Sequence, residues 1–350
     1  LCLEATRLAD VAAMGAVNQP ALNLTYQPLP ATLRTGVQTL AEGIVQPLAI
    51  GVSGLLLLWL RQGLGAHSTA LAFVGTETGL FRAMAGQGPM SIDAVAAASG
   101  LEARYVEEWL KGMVSAGYLD YDPAAESFAL PDEHAFLLSS EGTDHFMGGM
   151  FAMVPPLLAV APRVAESFRR GGGVPFADFA PECRHAIDLM NRGNYEHRLV
   201  DYWLKLLPDV TARLAAGGRA LDVGCGRGYV PLALKKAFPS AECVGVDPDR
   251  ASIAEARAAA AAAGLAPRYE DVTSDALADT EPFDLISLCD VLHDLPSPLD
   301  VLRGLRTRLA PEGVLLVIEP RVSDRLEENI NPTATMFYGF STFHCLTQSL

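Results

Sequence analysis

Residues 219–319 alternate short apolar runs with helix-forming stretches, and this alternation restricts the possible folds more than any other feature. Ala220-Leu-Asp-Val223 reads as a strand, and Gly224-Cys-Gly-Arg-Gly228 as a glycine-rich turn opening a helix that runs to about Phe238. Cys243-Val-Gly-Val246 is a second strand ending at Asp247, followed by an alanine-rich helix from Ser252 to Ala263 that Gly264 stops. Tyr269 to Val272 and Phe283 to Leu288 give two more strands. Leu299 to Leu309 reads as a helix closed by Pro311-Glu-Gly313, before a fifth strand from Val314 to Ile318. Strands and helices in strict alternation with short links predict an α/β fold, a doubly wound parallel sheet with right-handed crossovers. Such sheets bind ligands at the carboxyl ends of their strands.

The first turn narrows the ligand. Glycine is needed there because a Cβ would block both the bend and a close approach of ligand to backbone. The spacing of Gly224, Gly226 and Gly228 is GxGxG, and Tyr229 stands where the third glycine of a dinucleotide fingerprint would fall, so a pyrophosphate site is disfavoured. Asp247, at a strand end downstream, is placed to accept both hydroxyl hydrogens of a ribose. Asp222, Asp290 and Glu319 add carboxylates at the other strand ends, which suits a cationic ligand. A nucleoside with positive charge describes S-adenosylmethionine.

Charge argues in the same direction. With 26 Lys+Arg against 41 Asp+Glu the net charge is -15, and no local basic stripe offsets it, so nucleic acid is not an expected partner. The six cysteines (Cys2, Cys183, Cys225, Cys243, Cys289, Cys345) are scattered singly, without CxxC or a Cys/His spacing fit for zinc. No metal is expected, and reduced thiols in a cytoplasmic protein are the default.

Upstream, residues 44–60 (IVQPLAIGVSGLLLLWL) are almost wholly apolar, at the lower limit of length for a bilayer span. Three readings stay open: a buried or dimer-interface helix, a single membrane anchor, or a transporter fragment joined to an unrelated gene. The stretch from Tyr26 to Glu42 resembles part of a transmembrane region of carriers related to bacterial nucleotide translocases. The chain opens on Leu1 rather than Met and carries no secretory signal pattern, so an incomplete amino end is expected. From about residue 68 the pattern becomes that of a soluble domain. Helices are expected at 70–85, 91–98 and 102–116, then a short hairpin through Tyr118–Tyr121 and Ser127–Leu130, the order of a winged helix. Between Met90 and Asp122 the only basic residues are Arg104 and Lys111 against six acids, so the module is read as a dimerisation or lid domain rather than a DNA reader. Residues 135–210 read as a helical connector whose aromatics (Phe146, Phe151, Phe168, Phe176, Phe179, Tyr195, Tyr202, Trp203) are core packing or an apolar substrate wall.

Leu221-Asp-Val-Gly-Cys-Gly-Arg-Gly228, Val244-Gly-Val-Asp247, Phe283-Asp-Leu-Ile286 with Asp290-Val-Leu-His-Asp294, and Leu309-Ala-Pro-Glu-Gly313 with Glu319-Pro320 together resemble the ordered motifs of class I S-adenosylmethionine-dependent methyltransferases. The likeness extends back to about residue 70, because small-molecule methyltransferases of this kind carry an N-terminal winged-helix dimerisation domain. It implies a Rossmann-like sheet and four regions: an apolar segment at 1–65, a winged helix at 66–140, a connector and substrate lid at 141–210, and the cofactor domain at 211–350. It also implies that Gly224, Gly226 and Gly228 pack beneath the methionine part of S-adenosylmethionine, with Asp222 near its amino group and Asp247 on its ribose. Thr273, Ser274 or Asp275 would face adenine, and Cys289 and Asp290 would border the reactive methyl. His293, supported by Glu319, matches the position of a base that deprotonates a hydroxyl acceptor; a packing or helix-capping histidine is the alternative. The family's sheet ends in an antiparallel hairpin, for which few residues follow Pro320, so the C-terminal strands are expected to be missing. Met336, Phe337, Tyr338, Phe340, Phe343 and His344 would line the acceptor pocket or be exposed core surface. The implied reaction is methyl transfer to an O, N or C nucleophile, with O-methylation the expected case, and the implied partners are a small-molecule acceptor and a second copy of the chain. A cofactor-sensing regulator without catalysis is the competing function.

Overall fold

The computed structural model describes residues 65–350, so the apolar run at 44–60 and the carrier-like stretch from Tyr26 to Glu42 lie outside the described residues. The described chain begins with helix α1 (65–77), α2 (Leu80–Met84), α3 (Ile92–Ser99) and α4 (Ala103–Ser115). The single helix expected at 70–85 is two, because Gly79 takes a left-handed conformation (φ 76°) that only glycine adopts without strain. Ser91 caps α3 by accepting a hydrogen bond from the Ala94 amide, and Gly100 ends it, also left-handed. Strands β1 (Asp120–Asp122) and β2 (Ser127–Ala129) form the antiparallel wing, to which Met90 adds a bridge at Phe128. The core of this unit is Phe81 edge-on to Trp109, with ring centroids 5.2 Å apart, over Met84, Leu110 and Met113. Trp109 satisfies its indole N–H by donating to the Leu71 carbonyl at 2.8 Å.

Helices α5 (Asp132–Leu138), α6 (Gly148–Ala152), α7 (Val154–Arg170) and α8 (Pro181–His197) make the connector. The run 148–170 is long and apolar enough to cross a membrane by length and composition. Its apolar face is occupied within the protein: Val160 and Val164 pack with Phe179 and Cys183, and Phe340 and Phe343 close over them. Of the connector aromatics, Phe146 and Phe179 are buried packing residues, while Phe168 and Tyr202 are exposed and form no substrate wall.

After α9 (Pro208–Ala215) the chain builds a five-stranded sheet. The strands are β3 (Arg219–Val223), β4 (Glu242–Val246), β5 (Arg268–Glu270), β6 (Phe283–Cys289) and β7 (Leu309–Ile318), in the order β5-β4-β3-β6-β7. Every pairing is parallel. Helices α10 (Tyr229–Ala237), α11 (Arg250–Ala262) and α12 (Pro298–Arg308) provide the crossovers. The inner strands β3, β4 and β6 are buried, largely apolar runs because two faces are covered, with Leu221, Val244 and Ile286 on one side and Ala220, Cys243 and Leu285 on the other. The order reverses between β3 and β6, a topological switch point at which the strand ends diverge and leave a crevice.

The expected turn at Pro311-Glu-Gly313 is instead a bulge inside β7. Leu309 pairs with Phe283 and Val314 with Leu285, so the intervening residues loop out of the ladder. Proline is tolerated there because β7 is an edge of the described sheet and needs no donor on its open side. The third strand is shorter than expected and lies one residue earlier. No antiparallel hairpin follows β7 among the described residues. Instead α13 (Pro332–Phe340), capped by Asn331, continues through a π-helical turn (Ser341–Cys345) to Gln348. This segment is not bare core surface: Phe340 and Phe343 pack on the connector, and His344 and Thr347 are buried.

Candidate active site

A cavity of about 1480 Å³ lies over the carboxyl ends of β3, β4 and β6, roofed by α8 and by the α13 segment. Its floor is the glycine bend. Gly224, Gly226 and Gly228 all have positive φ (70°, 49° and 80°), so each bend position favours glycine. They differ in what a side chain would meet. A Cβ on Gly224 would fall 2.6 Å from Val291, and one on Gly228 would fall 2.6 Å from the Tyr269 ring. Only at Gly226 is the space open, and Gly226 lines the cavity. Tyr269, which excludes a side chain at Gly228, also donates its hydroxyl to the Gly228 carbonyl at 2.8 Å.

The strand-end acids surround this floor. Asp247 Oδ2 accepts from the Gly226 amide at 2.9 Å and Oδ1 from the Asp249 amide at 2.8 Å, which joins the end of β4 to the bend that follows β3. Burial raises its pKa, against the effect of those two amides. Asp222 is 3% exposed and accepts from the Ser287 hydroxyl at 2.6 Å. Burial first, and the neighbouring charge of Asp247 besides, push its pKa up to about 7. A carboxylate so deeply desolvated, with one hydroxyl for company, favours a cationic ligand.

Asp290 follows β6 and is one of two described non-glycine residues with positive φ (61°), a strained conformation of the kind found at functional sites. Its amide donates to the Ile318 carbonyl at 2.8 Å, and its carboxylate accepts from the Asn191 amide group at 2.8 Å. Cys289 beside it is buried, which keeps the thiol protonated, and its carbonyl accepts from the Tyr195 hydroxyl at 3.2 Å. Ser274 and Asp275 both line the cavity after β5; Ser274 is buried, whereas Asp275 is exposed and held below its usual pKa by a bond from Thr273.

His293 occupies a short 3-10 turn after β6. Its Nδ1 bonds to Glu319 Oε2, while Glu319 Oε1 accepts from the amides of Leu292 (2.7 Å) and Val291 (3.2 Å). Burial opposes the charge on Glu319, but His293 and the two amides outweigh it and hold the carboxyl below its usual pKa. The contact with Cys345 and the bond to Glu319 push His293 up to about 11. An imidazole expected to titrate near neutrality is therefore an imidazolium at pH 7, a proton holder in this arrangement rather than a ready base. His344 behaves oppositely: burial takes it down to about 4, and it faces the cavity neutral.

The structure thus gathers Asp222, Gly224, Gly226, Asp247, Ser274, Asp275, Cys289, Asp290, His293 and Glu319 around one cavity, with Gly228 just behind the bend. Phe337, Tyr338, Phe340 and His344 join them, while Met336 and Phe343 do not line it. Sequence reasoning missed the polar face of α8, and had Tyr195 only as a packing or substrate-wall aromatic. On that face Asp188 pairs with Arg227 at 2.7 Å, and Asn191 and Tyr195 reach the end of β6. The polar positions Asp188, Asn191 and Tyr195 recur at helical spacing, a signal that could have marked one face of that helix.

Comparison with known proteins matches residues 194–344 to a family described as a methyltransferase domain, and residues 66–140 to an Rv2258c-like winged HTH domain. The chain carries a methyltransferase domain. This methyltransferase domain is 35% identical over 100 residues to a ubiquinone biosynthesis O-methyltransferase of Ralstonia nicotianae, and 36% identical over 100 residues to its counterpart in Methylococcus capsulatus. Each match covers 28% of the chain and 41% of the relative, so the chain spans about two fifths of the length of these curated relatives. A solved Nostoc punctiforme protein is similar in fold, with a TM-score of 0.62 at 18% identity over 83% of this chain and 86% of that one. The mitomycin 7-O-methyltransferase gives 0.56 at 20% identity over 90% and 88%. Human N-acetylserotonin methyltransferase, solved with its cofactor, gives 0.55 at 19% identity over 84% and 86%. The winged-helix unit preceding the methyltransferase domain offers phosphate little: Arg104 and Lys111 on α4 both pair with that helix's own glutamates, Glu107 and Glu108.

Proposed function

We propose that the chain transfers the methyl group of S-adenosylmethionine to a small-molecule acceptor, with oxygen as the acceptor atom. The observation that carries this reading is the meeting of Asp247 with the Gly226 amide on the floor of the cavity, beside the buried Asp222. The residues fit the cofactor: open space stands where a Cβ on Gly226 would be, and a desolvated carboxylate lies next to it. Asp222 would hold the ammonium of the methionine part, Asp247 the ribose hydroxyls, and Ser274 and Asp275 the adenine, with Cys289 and Asp290 at the border of the methyl group. The cofactor supplies an electrophilic methyl on a sulfonium. The chain's part is alignment and exclusion of water, through a roof of Phe337, Phe340 and neutral His344 that encloses the acceptor. His293, held protonated by Cys345 and Glu319, orients an acceptor oxygen as a donor; it acts as a base once an acceptor displaces those contacts. The names of the O-methyltransferase relatives support oxygen over nitrogen or carbon. The paired cations of α4 speak against the regulator reading. The winged-helix unit is proposed to pair two chains, which light scattering of the whole protein measures directly.

Calorimetric titration with S-adenosylhomocysteine is expected to give micromolar affinity, at least about tenfold weaker for Asp247→Ala, because hydrogen bonds to a charged acceptor are lost. Equal affinity in the two proteins removes the ribose assignment. Labelled cofactor incubated with phenols, amines and carboxylic acids is expected to label an oxygen acceptor; binding without transfer to any of them favours the sensor reading.

A further inference from the structure

We infer that Cys345, His293 and Asp294 form a zinc-binding site with an open fourth position on the cavity. The sequence hides this site, because Cys345 lies far along the chain from the His-Asp pair and no recognised ligand spacing links them. The π-helical turn at Ser341–Cys345 brings the sulfur to the strand-end turn. Cysteine sulfur, imidazole nitrogen and carboxylate oxygen then lie within 4.8 Å of one another. Three protein ligands with one position left over is the pattern of a reactive rather than a structural zinc site.

Two details separate this from a chance meeting of polar groups. Asp294 Oδ1 is buried and has no hydrogen-bond partner, although His293 Nε2 lies 3.3 Å away. The two atoms are close but not aligned to share a proton. Two ligands on one tetrahedral ion, each at about 2.0–2.1 Å, stand about 3.3 Å apart, which is the spacing observed. Second, the other imidazole nitrogen, Nδ1, is bonded to Glu319, whose second oxygen is fixed by the amides of Leu292 and Val291. A histidine ligand ordinarily gives its remaining N–H to such a carboxylate, which sets the tautomer and leaves Nε2 to the metal. The alternative grouping of Asp290, His293 and Glu319 is weaker, because Asn191 and the two amides already satisfy its carboxylates. Thiolate and imidazole ligands select zinc or cobalt over magnesium and calcium. The open position suits an oxygen or sulfur ligand, so an acceptor hydroxyl bound there would lose its proton to solvent more readily.

Zinc on Nε2 and the proposed proton-donor role of His293 exclude one another, so the site rests on the ligand geometry alone and its test does not involve methyl transfer. The probe is cobalt(II) alone, titrated into the reduced, metal-stripped full chain and followed by absorption, with zinc competition afterwards. One equivalent of cobalt is expected to bind with a thiolate-to-cobalt absorption band, which zinc abolishes. Cys345→Ser is expected to lose the band, and Asp294→Asn and Glu319→Gln to weaken cobalt binding by about tenfold or more. Thermal unfolding of each variant verifies that it is folded. Absence of the band from the wild-type protein overturns the inference, as does a band that survives Cys345→Ser. Failure of S-adenosylhomocysteine to bind would strike the proposed function alone.

Discussion

Asp222→Asn is expected to make the free protein more stable at pH 8 while weakening its hold on S-adenosylmethionine about ten- to a hundredfold. The expectation follows from the position of the carboxylate. Burial holds its folded-state pKa at about 7, against 3.8 for a free side chain. Between those values the folded protein binds a proton that the unfolded chain has released, so stability falls as the pH rises from about 4 to 7 and stays reduced above. The penalty at pH 8 is on the order of a few kcal/mol. Asparagine keeps the size and can still accept from Ser287, but carries no charge to desolvate. The gain in thermal midpoint is therefore expected at pH 8 and should shrink as the pH falls towards 4. For the wild type, affinity for the cofactor should weaken by up to about tenfold per unit below pH 7, because an ammonium group needs the ionised form. A midpoint unchanged by the substitution at pH 8, or affinity independent of pH, would remove Asp222 from the ammonium site.

Gly224→Ala and Gly226→Ala, neighbours in one bend, should fail in different ways. Both force a side chain into the left-handed region, at about 1–2 kcal/mol each. At Gly224 the new methyl also meets Val291 at 2.6 Å, and overpacking adds about 1–3 kcal/mol. That variant should lose about 2–5 kcal/mol in urea unfolding. Gly226→Ala meets nothing and should remain folded, but its methyl would enter the cavity, the space proposed for the cofactor. Calorimetry should show the larger loss of S-adenosylhomocysteine affinity per kcal/mol of stability at Gly226. The reverse ranking would mean that the bend does not face the ligand.

The parts of the fold that the sequence made legible are those encoded locally. The glycine bend, the acid at the end of β4 and the alternation of strand and helix each depend on residues a few positions apart, so spacing reveals them. Pro311-Glu-Gly313 misled because a proline-glycine pair signals a turn wherever the chain must reverse, and only the pairing of Leu309 with Phe283 shows that β7 has already begun. The division of labour among the three glycines was equally hidden: Val291 and Tyr269 decide it, and both come from other elements. His293 could be found by its motif, but its protonation could not, because the sulfur and carboxylate that hold the proton arrive from Cys345 and Glu319.

Helix α8 has a kinetic consequence. In its 17 residues it engages three different strand-end loops: Arg184 reaches Asp249 beyond β4 (3.9 Å), Asp188 reaches Arg227 in the glycine bend (2.7 Å), and Asn191 reaches Asp290 beyond β6 (2.8 Å). Each tether ends on a residue of the cavity wall. Several polar links must release together for that roof to lift, so entry and exit of any molecule beneath it are expected to slow in step.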